Sequence, residues 1–171
     1  MTTGESLTRG TIWIALSLYT AGELLRAARN RSAVRAYPKW LYSIACVFFL
    51  AHVVSAFQFY HHWSHAAAYD ETARQTAAAI GVRSGGGLLL NYAFAILWMV
   101  DVFWQWIQPR SHSRRPRSVD RFVRFLFFFM IINGAVVFAR SPMRWFGLLL
   151  SILLAASWWL WTKPLDPATT N

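Results

Sequence analysis

Apolar runs long enough to cross a lipid bilayer recur along this chain, and runs of that kind leave few choices of fold. In hydrocarbon every backbone N–H and C=O must be satisfied within the protein, so only helices and closed barrels span it. About 20 apolar residues, at 1.5 Å each, bridge a core of about 30 Å as a helix. Segments 41–61 and 88–107 meet that length outright, and 122–139 and 143–161 meet it with Arg124 and Arg144 snorkelling from their edges. Segment 9–28 carries Glu23 but is otherwise long enough to be a further span. Arg9 precedes its apolar part and no small-residue cleavage site follows, so an uncleaved first span is expected. The expected fold is all-α: one integral membrane domain over 1–171, a helical bundle of five transmembrane spans.

The formal charge of +10 raises the question of nucleic acid, but the arginines lie between apolar runs and form no amphipathic surface, so no nucleic-acid partner is expected. Topology explains them, because cytoplasmic loops hold an excess of Lys and Arg. The first loop has Arg26, Arg29, Arg31, Arg35 and Lys39, and the third has Arg110, Arg114, Arg115, Arg117 and Arg121, with Arg124 at its edge. In the second, Arg74 and Arg83 are balanced by Asp70 and Glu71, and the fourth is a tight hairpin around Arg140, Ser141, Pro142 and Arg144. This alternation places the N-terminus outside and the C-terminus, with a short disordered tail over 164–171, in the cytoplasm, fitting a bacterial inner (plasma) membrane. The third loop then faces anionic lipid, with His112 as a solvated loop residue. Trp and Tyr near span ends, such as Trp13, Trp40, Tyr60, Trp63, Trp104 and Trp106, fit an interfacial belt.

Residues 64–80 differ from the spans. They are rich in Ala, allow an Asp70–Arg74 pair at i, i+4, and stop at Gly81, which predicts a short interfacial helix on the outer face. Gly85, Gly86 and Gly87 read as a turn, since the Lys and spacing of a phosphate loop are missing. Cys46 is a lone cysteine in an apolar run, which excludes a disulfide framework and a Cys-based zinc motif.

Against this background the polar residues inside the spans stand out, because such groups are expensive in lipid. At 100° per residue, Ser55, Gln58, His61, His62 and His65 share a sector of roughly 120°, with His52 about 60° beyond it. In the third span Asn91, Trp98, Asp101 and Gln105 lie within roughly 80° of one another. The two stripes are expected to face each other, with His52 about 6 Å from the level of Asp101 and Glu23 at a similar depth. Local pairing of Glu23 with Arg26 at i, i+3 is the alternative for that carboxylate.

Three functions fit these groups. The preferred reading is a metal site near the outer face, in which His61, His62 and His65, completed by Asp70 or Glu71, bind a divalent transition metal such as Zn, Cu or Fe for redox chemistry or metal handling. The second is a non-enzymatic accessory or assembly subunit that packs against partner subunits in the membrane. The third is a proton or ion relay through His52 and Asp101. The His61-His62-x-x-His65 string resembles one histidine box of the membrane desaturases and hydroxylases, which carry several where this chain has one, so no activity follows from it. No HExxH, nucleophile elbow or dinucleotide fingerprint is present, and haem ligation lacks a second mid-span histidine on another helix.

Overall fold

The computed structural model describes residues 3–29, 39–139, 141 and 143–162. Arg31, Arg35, Arg140, Pro142 and the tail over 164–171 lie outside the described residues. Seven α-helices and no strand are present among the described residues: α1 (Thr3–Arg29), α2 (Lys39–Ala56), α3 (His65–Ile80), α4 (Gly86–Ile107), α5 (Pro109–Ser113), α6 (Arg117–Ile132) and α7 (Met143–Thr162). The all-α expectation holds. Two π-turns extend the pattern, Phe57–His61 after α2 and Asn133–Val137 after α6.

Ring and backbone contacts set the helix directions. Along α1 and α2, Thr8 meets His52 near one end and Tyr19 meets Tyr42 further on, so these helices are antiparallel. Along α2 and α4, Phe57 meets Tyr92, Phe49 meets Trp98 and Tyr42 meets Asp101, which is antiparallel again. Helices α6 and α7 form a hairpin in which Gly147 lies against the Ala135 backbone. A Cβ at Gly147 would sit 2.2 Å from the Ala135 carbonyl oxygen, so only glycine permits this approach. The five long helices therefore alternate in direction. Helix α3 crosses the end that carries His61 and His65, hereafter the histidine end, and α5 lies at the opposite, basic end.

The core is an aromatic layer. Trp98 and Phe127, each 1% exposed, meet edge to face at 4.6 Å, and Tyr19 stacks on Phe127 at 4.3 Å. Phe49 stacks on Trp98 at 5.2 Å, and Phe94 meets Phe127 at 4.8 Å. Large rings in offset or edge contact add specific attraction to their burial, which matters where lipid removes the usual hydrophobic drive between helices.

Two stretches, Lys39–His61 and Gly86–Ile107, are long and apolar enough to cross a membrane. The expectation of five spans is not established at that level. Helix α1 carries Glu5, Arg9, Glu23 and Arg26, α6 opens with Arg117, Asp120, Arg121 and Arg124, and the apolar part of α7 is short. The segment expected to be an outer helix is α3. Ser64 caps it by accepting from the Ala67 N–H, and Gly81 at φ 78° ends it with a bond from its N–H to the Ala77 carbonyl.

Candidate functional site

The polar residues that gather in this molecule do so at the basic end. Helix α6 explains why: at 100° per residue Asp120, Val123, Arg124, Phe127 and Ile131 share a sector of roughly 100°, and all five are buried. The apolar members of that face join the core and thereby carry Asp120 and Arg124 inward with them. Asp101, one turn beyond Trp98 on α4, is drawn in by the same logic, and so is Glu23, one turn beyond Tyr19 on α1.

Together these groups form a closed set of charges. Arg115 links two carboxylates, donating from Nη1 to Asp101 Oδ1 at 2.6 Å and from Nη2 to Asp120 Oδ1 at 2.6 Å. Asp120 also accepts from Arg26 at 3.2 Å and pairs with Arg124 Nε at 3.0 Å. Glu23 lies 3.7 Å from Arg26 and 3.8 Å from Arg124, as an ion pair beyond hydrogen-bond length. Tyr42 donates to Asp101 Oδ2 at 2.9 Å, and His112 Nε2 is 3.3 Å from Asp101 Oδ1. Three carboxylates therefore face three guanidiniums, drawn from α1, α4, α6 and the turn between α5 and α6, with the Tyr42 phenol of α2 and the His112 imidazole of α5 beside them. The groups close on one another, leaving between them a gap with room for about one water molecule.

The electrostatics favour the charged forms of Asp120 and Arg115. Burial alone would raise the Asp120 carboxyl, but Arg26, Arg124 and Arg115 together hold it below the ordinary carboxylate range. Burial opposes the Arg115 cation, and Asp101 and Asp120 outweigh that. Taking an ion out of water costs several kcal/mol, so a cluster of this kind survives only when every member has a partner.

The sequence-expected residues fall into two groups. Glu23 and Asp101 do join one cluster, linked from Glu23 through Arg26 or Arg124 to Asp120 and from there through Arg115 to Asp101. His52 does not join them: its Nδ1–H donates to the Thr8 carbonyl at 2.8 Å, and the stretch from Tyr42 to His52 is about 15 Å of helix, at the level of the aromatic layer. Gln58 and Asn91 are exposed, and Gln58 accepts from the Trp63 indole at 2.9 Å, so the two polar stripes do not face each other at the histidine end. His112, expected in solvent, is instead packed over Asp101, because α5 folds back beneath α4.

The backbone gives the expected metal site no support. His61 ends the π-turn, His62 and Trp63 take left-handed conformations at φ 46° and 59°, and His65 opens α3. The i, i+3 and i, i+4 spacings therefore do not lie on one helix. His65 Nδ1 lies 2.8 Å from the Tyr92 hydroxyl, His61 rests against Phe57, and His62 is exposed. Glu71 accepts from Arg74 and Gln75 on the surface of α3, taking the place expected for Asp70 in the pair with Arg74, while Asp70 is exposed. Among the described residues no group of three or more His, Cys, Asp or Glu side chains is placed to hold a metal ion.

The i, i+3 pair of Glu23 with Arg26 is the alternative expected for that carboxylate, while Tyr42, Arg115, Asp120 and Arg124 are cluster members that the polar stripes of the spans did not include. Compared with known proteins, the chain matches no family model, no curated protein and no solved structure.

Proposed function

We propose that this chain is a small multi-pass membrane protein acting as a non-enzymatic accessory or assembly subunit of a larger membrane complex. The observation that carries the reading is the charge-balanced cluster at the basic end. Its carboxylates and guanidiniums are committed to one another across α1, α4, α6 and the turn before α6, which suits a clamp on helix positions better than a reacting or transporting centre. The relay reading loses support because aromatic rings, not polar groups, fill the level between His52 and Asp101.

Membrane embedding in five spans is supported by the alternation of the five long helices and by aromatic residues at both ends, among them Trp40 and Trp106 at one and Tyr60 and Trp63 at the other. It is also supported by large apolar side chains turned outward along α4, such as Leu89, Ile96, Val100, Phe103 and Ile107. The arginine bias then assigns the basic end to the cytoplasm, with the N-terminus outside and α3 on the outer interface. Extraction of the full chain from its native membrane in mild detergent, followed by a native gel, tests the subunit role. Co-migration with a stable partner at fixed stoichiometry is expected, and migration as a lone monomer would overturn it.

A further inference from the structure

Seven basic side chains crowd the chain between Arg110 and Arg124, counting His112, and they sort into two kinds. Arg115, Arg124 and His112 are turned into the cluster. Arg110, Arg114, Arg117 and Arg121 are exposed, and no ion pair engages them among the described residues. Asp120 is the lone acidic residue of that stretch and is already shared by Arg26, Arg115 and Arg124, so it cannot neutralise them.

What lies beside these free arginines decides between partners. On α6 the exposed face runs Arg117, Arg121, Phe122, Phe125, Phe129 within a sector of roughly 140°, bordering at Arg117 the buried face that carries Asp120 and Arg124 and turning away from it towards the phenylalanines. Phe122, Phe125 and Phe129 are 58%, 63% and 38% exposed, and Phe125 and Phe129 stack at 6.4 Å between centroids. One helix face therefore changes from cationic to aromatic along its axis. From Arg117 to Phe129 it extends about 18 Å, close to the depth of one leaflet of a hydrocarbon core of about 30 Å plus part of its headgroup layer. An acidic protein surface would match the arginines but leave the phenylalanines uncovered. A lipid matches both.

We infer that the outward face of α6 binds an anionic phospholipid lengthwise, its phosphate at Arg117 and Arg121 and an acyl chain along Phe122, Phe125 and Phe129. Arg110 and Arg114 add long-range attraction to the same leaflet. The inference rests on the membrane reading above, and the headgroup preference it requires is an anionic over a zwitterionic lipid.

Native mass spectrometry of the detergent-purified full chain tests it, with phosphatidylglycerol and phosphatidylcholine of identical acyl chains as probes. Preferential retention of phosphatidylglycerol is expected, weakened about 25-fold in the double variant Arg117→Gln/Arg121→Gln, at roughly fivefold per charge. Arg83→Gln, an exposed arginine near the other end, should leave retention unchanged, and Phe125→Ala/Phe129→Ala should shorten it for both lipids. Excess inorganic phosphate should not displace the lipid. Equal retention of the two lipids, indifference to the arginine variants, or displacement by phosphate would overturn the inference. So would displacement by polyglutamate with the same arginine dependence, which would make the face a protein-docking surface. A carbonate wash of membranes separates the two failures: release of the chain overturns the membrane reading itself, whereas a retained chain without anionic preference overturns the lipid inference alone.

Discussion

The two ends of the molecule are both rich in ionisable side chains, and they use them in opposite ways. At the basic end, Asp101, Asp120, Glu23 and three arginines are buried or partly buried and mutually paired, joining α1, α4, α6 and the turn before α6. At the histidine end, His61, His62 and His65 are dispersed around a turn and partnered singly or left in solvent. The difference comes from the backbone. Regular α-helix past Trp98 and before Phe127 keeps the charged positions in register with the core, whereas the π-turn and two left-handed residues after Phe57 scatter the imidazoles. Clustering in sequence is therefore a poor guide to clustering in space when a helix ends inside the cluster.

The largest test of this contrast is Asp120→Ala. It strips Arg26, Arg115 and Arg124 of a shared carboxylate, and breaking a buried pair by removing one partner costs about 3–5 kcal/mol. Thermal unfolding in detergent, followed by tryptophan fluorescence, should register that loss. A change below about 1 kcal/mol would mean that the cluster does not clamp the helices. Acid should produce a related effect. Because the folded-state carboxyl of Asp120 lies below its ordinary value of about 3.9, its contribution is complete above that value and disappears as pH falls through the lower folded value. Asp120→Asn should flatten that acid limb, measured as the difference in unfolding midpoint between pH 5 and pH 3. An unaltered limb would assign it to other carboxylates.

Much of the fold was legible because apolar run length and a helical period are local properties. The α3 segment announced itself through Ser64 and Gly81, which act within a turn of the residues they cap. Asp101 and Glu23 were legible as buried carboxylates for a similar reason, each one turn from an aromatic residue of the core. Their partners were not. Arg115 and Arg124 look like loop and flank residues in a charge count, and His112 like a solvated one. What distinguishes them is the direction of α6 and the return of α5, both tertiary. The helical period of α6 did contain a usable signal: Asp120 and Arg124 share a face with Val123, Phe127 and Ile131, while Arg117 and Arg121 share one with Phe125. Counting these arginines together as one basic loop and its edge discarded that signal. The spread of the histidines was illegible for another reason, since nothing at His62 or Trp63 announces a left-handed residue.

A smaller effect is expected for His52→Ala. His52 tethers α2 to the Thr8 carbonyl of α1 in a partly buried setting, one neutral hydrogen bond plus the packing of a ring, worth about 1–2 kcal/mol in the same melt. An effect as large as that of Asp120→Ala would mean that the histidine end shares the clamp.

The smallest effect, and the sharpest test of the contrast, is expected for Tyr92→Phe. The Tyr92 hydroxyl meets His65 Nδ1 at 2.8 Å, but the pair is exposed, so water replaces either partner at little cost, and the substitution keeps the ring that packs on Phe57. A loss of about 0.5 kcal/mol or less follows. Tyr42→Phe removes the same hydroxyl from the buried carboxylate of Asp101, where a hydrogen bond to a charged group is worth about 1.5–3 kcal/mol. Measured side by side, the two substitutions delete one identical atom at each end of the molecule, so their difference isolates burial and charge from the chemistry of the group. Equal losses would show that the histidine end is as tightly organised as the basic end, and the distinction between a clamp and a set of separate surface contacts would fall.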